Sequence, residues 1–521
     1  MASVRLWVLL SVYGLLTLLP TATGHATTAA TAAAFADRKQ LALDGSDDAA
    51  ADDFEFDLDI SSKKKLKRLH QRLHEDGNDP VEVVTSADGG MHKWSEPLDI
   101  SSKVAPAGFN FGRGTRYVAA QEIVEGDVLF SVPFVDVLNL HSARQGRVRA
   151  LLDANADLPA SIALAIHLLE ERFRGDASRF HAYIETLPTG SAALNSTLFY
   201  KEDEMAMLRG SLLQRVTVGR AQAISDFFDA LVGPVTSLAL DPPLFTKDEF
   251  TKEYFAWAMG TVWARAFSPT GADEDAMLAP ILDTIGLCVD EACAPSRVEW
   301  DREVQRVVVY ATQDYAAGDE VLLYIGDHKP STLLMLNHGF ARPQPFTEAE
   351  TFDLSIFLDP SDTLIDVKTH LLESHNMSIN GSYTLRYKSK QLDADMVRSL
   401  KLKLLSPAEL DKHRLLLSSA SGEDDEIPIV SVRNEYVFTR AIVFACKNLL
   451  ANYATTLDHD RALLRERAAH SRDHRVGVAD KNIQMLRMLV IEKEILHHTM
   501  ALAMAHWSEL LTLAEPTFLE K

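Results

Sequence analysis

The pattern of apolar and polar positions changes along the chain. From about residue 104, short apolar runs alternate with turn residues. Tyr117-Val118-Ala119, the turn Val124-Glu125-Gly126-Asp127 and the run Val128-Leu129-Phe130-Ser131-Val132-Pro133 predict a β-hairpin, two extended runs flanking a Gly-Asp turn. A near copy comes much later: Arg306-Val307-Val308-Val309-Tyr310-Ala311-Thr312, the turn Ala316-Ala317-Gly318-Asp319, then Glu320-Val321-Leu322-Leu323-Tyr324. Both share the cadence Ala-x-Gln-acid, three residues, Gly-Asp. No period fills the gap between them, so the pair does not make a repeat protein.

The gap has helical spacing instead. Ile162 to Arg172, Glu204 to Leu231 and Lys247 to Phe267 carry apolar residues on one face. For the last of these, Thr246 as N-cap, Glu249 three residues on, and Phe245 with Phe250 have the spacing of a capping box and a hydrophobic staple. After residue 346, Phe352, Leu354, Ile356 and Leu358 have period two, as do Tyr383, Leu385 and Tyr387; each run predicts a strand. The remainder reads as helix, with an acidic loop at 422–427 and a long amphipathic run over 480–512.

The amino terminus differs. Arg5, an apolar run from Leu6 to Leu19 and small residues up to Ala26 read as a secretory signal over 1–26. That run is shorter than the ~20 residues a membrane-spanning helix needs. Ala32-Ala33-Ala34-Phe35-Ala36 offers a second reading, a signal followed by a plastid transit segment, although acids from Asp47 to Asp57 follow closely. Residues 27–92 lack apolar periodicity and read as a linker, with Lys63 to Arg68 a solvated charge run opening a short helix at 66–75. Sequons at Asn195, Asn376 and Asn380 agree with secretion.

Composition narrows the function classes. With 52 basic against 74 acidic residues the formal charge is -22, which argues against nucleic acid as the main partner. Three cysteines exclude a disulfide scaffold and a four-cysteine zinc site; Cys288, Cys293 and Cys446 read as small core residues, the pairing of the first two being the alternative. His470 and His474 have helical metal-ligand spacing but no third ligand, so no metal is expected.

Several segments, in order, carry a family likeness: Gly112-Arg113-Gly114 with its hairpin; Phe180-His181-Ala182-Tyr183-Ile184-Glu185-Thr186-Leu187-Pro188; Thr261-Val262-Trp263-Ala264-Arg265-Ala266-Phe267; Leu278-Ala279-Pro280-Ile281-Leu282-Asp283; and Leu333-Leu334 with Gly339-Phe340. Later come Asn452-Tyr453-Ala454-Thr455-Thr456 and Val490-Ile491-Glu492-Lys493-Glu494. Over about residues 104–512 the chain resembles SET-domain proteins of the Rubisco large-subunit methyltransferase-like class. The resemblance implies an α+β fold. A SET domain of small β-sheets would span 93–345, with a helical insert at about 141–250, and a mainly helical substrate-binding domain would span 346–521. It also implies S-adenosyl-L-methionine as cofactor and a protein substrate held by the helical domain, with lysine or histidine as acceptor. Gly112 and Gly114 match the family's cofactor turn, Arg265 its Arg-x-Phe arginine, and Asp283 the start of its Asp-x-x-Asn-His run.

The departures from the family bear on activity. Gly286-Leu287 stand where the family has Asn-His, and Ile325 stands where it has a channel tyrosine before glycine. Tyr324 is adjacent and is the candidate catalytic residue, but a shift of one residue on a strand turns a side chain to the other face unless a bulge intervenes. His338 replaces the tyrosine of a later Tyr-Gly-Phe, and reads as packing beside the channel. Two readings stay open: a protein-lysine N-methyltransferase, or a catalytically inactive SET-domain module that binds a protein.

Overall fold

The computed structural model describes residues 99–110, 114–188, 195–237, 243–289, 296–301, 303, 305–326, 328–358, 361–412, 429–470 and 480–513. The signal segment, the linker at 27–92, Gly112, Cys293, the loop at 422–427 and His474 lie outside these residues. The strands include one, over Arg306–Ala311, built on a cluster of β-branched residues. In chain order they are β1 (Asp99–Ile100), β2 (Val104–Asn110), β3 (Gly114–Ala119), β4 (Val128–Pro133), β5 (Leu138–Asn139) and β6 (Met277–Leu278). Then come β7 (Gly286–Cys288), β8 (Ser296–Asp301), β9 (Arg306–Ala311), β10 (Glu320–Tyr324), β11 (Thr351–Ile356) and β12 (Gly381–Arg386). Two small sheets have the orders β1-β4-β9-β8 and β2-β3-β10-β7, and β5-β6 and β11-β12 form pairs. The fold is α+β.

The two near-identical turns lie against each other. Ile123 and Tyr315 exchange backbone hydrogen bonds, and so do the flanking residues: Gly126 N–H donates to Ala311 O, and Gly318 N–H to Ala119 O. Asp127 accepts from the Val124 amide and Asp319 from the Ala316 amide, each at three residues' separation. Gly126 and Gly318 both have positive φ, which the turn requires. The repeated cadence therefore builds one quasi-symmetric joint between the two four-stranded sheets.

Neither predicted hairpin forms, because after each Gly-Asp turn the chain crosses to the other sheet: β3 pairs with β2 and β10, while β4 pairs with β1 and β9. Helices fill the region between the two turn repeats: α1 (Leu140–Gln145), α2 (Val148–Ala154), α3 (Ala160–Phe173), α4 (His181–Ile184), α5 (Glu202–Met207), α6 (Leu212–Thr236) and α7 (Lys252–Arg265). The single helix predicted over 204–231 is two, α5 and α6, separated at Gly210 and Ser211. Gly210 has φ +81, and a Cβ there would meet Asn452 O at 2.3 Å. The helix predicted from Lys247 starts at Lys252, where the Thr251 side chain accepts from the Tyr254 amide. Glu249 does reach the Thr246 amide at 2.8 Å, and Phe245 stacks on Phe250 at 5.3 Å. That motif closes a turn of its own one step before the helix, because Thr251 supplies a second cap.

The later helices are α8 (Ser331–His338), α9 (Ile365–Ser374), α10 (Ala394–Lys403), α11 (Val432–Ala451), α12 (Leu457–His470) and α13 (Lys481–Leu513). Burial divides the interior into a sheet core around Phe130, Val309 and Leu323, an insert core around α3 and α7, and a core around α11 and α13. The last also takes in α5 and the start of α6. A buried carboxylate holds this junction. Glu492 on α13 accepts from the Leu212 and Leu213 amides at 3.0 and 2.9 Å and from Tyr453 Oη at 2.5 Å. Its neighbour Lys493 donates to Asp460 Oδ2 at 2.5 Å and to Thr455 O at 2.6 Å. The two segments picked out in the last domain thus face each other.

Lys403 is buried and donates to Ile356 O at 2.9 Å. Burial lowers its pKa to about 8. Unfolded, it keeps its ordinary value near 10.5. Above about pH 8 the unfolded chain therefore binds the extra proton, and stability rises with pH by up to about 1.4 kcal/mol per unit until about pH 10. Urea midpoints from pH 7.5 to 9.5 should climb and Lys403→Met should flatten the climb; equal slopes in both proteins would refute this.

Candidate active site

Strand pairing sets the frame. β10 runs parallel to β7 with Leu322 opposite Gly286 and Tyr324 opposite Cys288, and antiparallel to β3 with Glu320 opposite Val118. The antiparallel sense sends the Gly114 end of β3 toward the Tyr324 end of β10. Gly114 opens β3 opposite Asn110.

Arg265 ends α7, and Asp283 lies in the 3-10 turn Leu282–Thr284 just before β7. Asp283 is fully buried, and its Oδ2 accepts from Arg265 Nη1 at 3.0 Å and from Tyr183 Oη at 3.0 Å. The turn that delivers Asp283 is strained. Ile281 has φ 66 and ψ -49, and Leu282 N–H donates to Pro280 O at 2.8 Å, a γ-turn that a β-branched residue rarely adopts. Asp283 Oδ1 is buried with no hydrogen-bond partner among the described residues. Thr261 Oγ1, one turn before Arg265 on the same helix, is likewise buried and unpartnered. Such groups are costly unless something else satisfies them.

Sequence reasoning singled out Arg265 and Asp283, and the structure joins them as a buried pair. It missed Tyr183. The signal lay in the segment Phe180 to Pro188, but the use of one phenol hydroxyl from α4 is visible only once Asp283 is placed 100 residues on. Trp257 Nε1 donates to Pro188 O at 2.6 Å and fixes the same segment against α7.

Tyr324 stands elsewhere. Val321 and Leu323 point into the sheet core, so Tyr324 takes the opposite face and is half-buried. Ile325 packs against that core. The β7–β10 register runs without a bulge and continues into Ile325 N–H donating to Cys288 O, so no bulge turns Tyr324 to the face of position 325. Arg116 and Glu320, paired at 3.4 Å, flank the face that Tyr324 occupies. Leu287 lies in the core, and Gly286-Leu287 supply no side-chain donor. His338 packs on Phe340 at 6.0 Å with Nδ1 donating to Ala264 O at 3.1 Å, which puts it next to Arg265. Cys288 is buried and disulfide-bonded, so the reading of all three cysteines as unpaired core residues fails there. Cys446 is a buried free thiol.

Three residues able to ligate a metal meet on α3: His167, Glu170 and Glu171, with ligand atoms within 4.8 Å of one another. Protein groups already engage all three. Ser142 and Glu170 bond His167, the Arg147 amide donates to Glu170, and Ser178 and Arg174 donate to Glu171. The cluster ties α1, α3 and the following turn together.

Residues 359–496 match the family described as Rubisco LSMT substrate-binding. The chain is 26% identical over 363 residues to the chloroplastic Rubisco large-subunit N-methyltransferase of Pisum sativum, covering 67% of this chain and 70% of that one. It is 24% identical over 360 residues to the chloroplastic fructose-bisphosphate aldolase-lysine N-methyltransferase of Arabidopsis thaliana, covering 67% and 71%. The human actin-histidine N-methyltransferase is 25% identical over 404 residues, covering 74% and 62%. Among solved structures, the SET domain of LSMT bound to MeLysine and AdoHcy superposes with TM-score 0.64 at 22% identity, covering 81% of this chain and 92% of that one. The chain has the fold of the LSMT SET domain and resembles proteins of the Rubisco large-subunit methyltransferase-like class, with residues 359–496 matching their substrate-binding domain. Within such a protein the Arg265–Asp283 pair sits where the sequence matched the family's cofactor-binding residues. Among the described residues no helix is long and apolar enough to cross a membrane.

Proposed function

We propose that this protein transfers a methyl group from S-adenosylmethionine to a lysine amine of a protein substrate. The observation that carries the reading is the buried Tyr183–Asp283–Arg265 cluster beside the β7–β10 pair of a SET fold. S-adenosylmethionine, when bound, supplies a methyl group activated on a sulfonium. Asp283 Oδ1, buried and unpartnered among the described residues, suits a donor such as the cofactor's ammonium group; Gly114 at the start of β3 is assigned to the cofactor, as is Gly112 by its match to the family's turn. Arg265 holds Asp283 in place through its hydrogen bond to Oδ2. An aqueous lysine has a pKa near ~10.4, so the acceptor must lose its proton, which a dry approach favours. Tyr324 is assigned to that approach on the condition that the channel opens on its own face of β10, opposite to that of Ile325, where its hydroxyl would orient the amine toward the methyl.

A non-catalytic binding module is not favoured by the relatives, which are named for methyl transfer. Titration calorimetry of the full chain with S-adenosylmethionine is the first test, and absence of binding by the folded protein would refute the reading. Fructose-bisphosphate aldolase and the Rubisco large subunit are the first acceptor proteins to try, with mass spectrometry separating lysine from histidine products. Tyr324→Phe should lower turnover about 100-fold, the scale of a lost proton-handling group; unchanged turnover would remove Tyr324 from the site. The protein substrate is assigned to the helical domain. The apolar run at Leu6–Leu19 supports entry to the secretory pathway, and the chloroplastic relatives favour onward delivery to a plastid. A carboxy-terminal fluorescent fusion found in the nucleus would contradict both.

A further inference from the structure

Among the described residues, α11 and α13 of the helical domain leave an apolar face uncovered. Tyr436 and Phe444 on α11 are 39% and 49% exposed, and Met504 and Leu511 on α13 are 56% and 48% exposed. Trp507 joins the two helices, its ring 5.0 Å from that of Tyr436. On α11 the exposed positions recur as Val432, Tyr436, Arg440, Phe444 and Lys447, one straight stripe at helical spacing. Isolated apolar residues need no explanation, but a continuous stripe does.

The charge on this stripe is opposite to that of the molecule. The chain carries -22 overall, yet the exposed charges of α11 are Arg433, Arg440 and Lys447. The one acid of α11, Glu435, is buried against Lys401 and His506. From Ile495 to Leu513, α13 carries a single acid, Glu509, and no lysine or arginine. Arg433 is paired with Glu409 and Arg440 lies over the Tyr436 ring, while Lys447, exposed at the far end, has no ion pair among the described residues.

We propose that this stripe is a docking groove for an acidic amphipathic helix of a partner protein. Val432 to Lys447 runs about 22 Å, the length of a helix of about 15 residues. Apolar anchors of such a helix would sit between Tyr436, Phe444 and Trp507, and its carboxylates would meet Arg440 and Lys447. An anionic membrane also attracts basic and aromatic groups, but three basic residues on a body of charge -22 do not hold one. That the docked protein is the methyl acceptor rests on the function proposed above; the docking itself does not.

A display library of acidic amphipathic peptides, panned on the full chain, tests it. Enriched peptides should pair Leu or Phe anchors with Asp or Glu and bind with Kd of about 10 μM. Arg440→Glu with Lys447→Glu, and separately Phe444→Ala, should each weaken them about 10-fold, with S-adenosylmethionine affinity and melting temperature unchanged. No acidic enrichment, or binding indifferent to both variants, overturns the proposal. So does a stripe that binds phosphatidylserine vesicles instead, or one that holds two copies of this chain in a dimer broken by Phe444→Ala. Wild-type protein that binds the peptides but not S-adenosylmethionine would refute the functional reading and leave the groove standing.

Discussion

Asp283→Asn should abolish measurable S-adenosylmethionine binding and destabilise the fold by about 3–5 kcal/mol, the usual cost of leaving one member of a buried ion pair alone. Asp283 is fully buried and Arg265 nearly so, and the two meet at 3.0 Å. An amide at 283 still accepts one hydrogen bond, but its missing charge strands the guanidinium in a dry site. The double variant Asp283→Leu with Arg265→Met separates structure from binding. Replacing both charges with apolar groups often restores stability, so this protein should fold nearly as well as wild type and still fail to bind the cofactor. Urea unfolding and calorimetry read the two effects independently. A double variant that binds S-adenosylmethionine normally would show the pair to be scaffold alone.

Glu492→Leu should lower stability by about 3 kcal/mol, because three buried donors lose their acceptor at about 1–3 kcal/mol each, offset in part by relaxation. Those donors are the Leu212 and Leu213 amides, at the start of the 25-residue helix α6, and the Tyr453 hydroxyl. A carboxylate at a helix amino terminus also meets the favourable end of its dipole. Burial and the Tyr453 contact act against each other on this group: desolvation raises its pKa, and the hydrogen bonds from Tyr453 and the two amides hold it down without cancelling the rise. Glu492→Gln should cost less, since its amide oxygen still accepts. Calorimetric melting of both variants decides the matter, and a Glu492→Leu protein within about 0.5 kcal/mol of wild type would show that water replaces the carboxylate.

The elements with a strong local signal were legible in the sequence. The run Val307-Val308-Val309 gave a strand, the alternation at Phe352 and Tyr383 gave the β11–β12 pair, and the amphipathic run after residue 480 gave α13 almost to the residue. Arg265 and Asp283 were reachable because segments around them matched a family pattern. What stayed hidden depends on distant contacts. Thr246 and Thr251 are both sound caps, and only packing chooses between them. The break between α5 and α6 follows from Asn452 pressing on Gly210, some 240 residues away in sequence. Tyr183 is one tyrosine among 12 until Asp283 is set beside it. The face of Tyr324 was deducible as a parity argument, but excluding a bulge required the register of β10 against β7.

The pairing of β3 with β10 fixes an order of assembly. Val118 and Glu320 are neighbours across the sheet although about 200 residues separate them, and an unstructured loop of that length would cost about 5 kcal/mol in chain entropy to close. The helices between them have an interior of their own, from Leu138 to Leu278, which brings the two ends together beforehand. On a ribosome the insert can therefore compact while β10 is still unmade, and the β3–β10 pair, with the cofactor site proposed beside it, forms only after Tyr324 has emerged. Nascent chains arrested before and after that point, probed for S-adenosylmethionine retention, would show the transition.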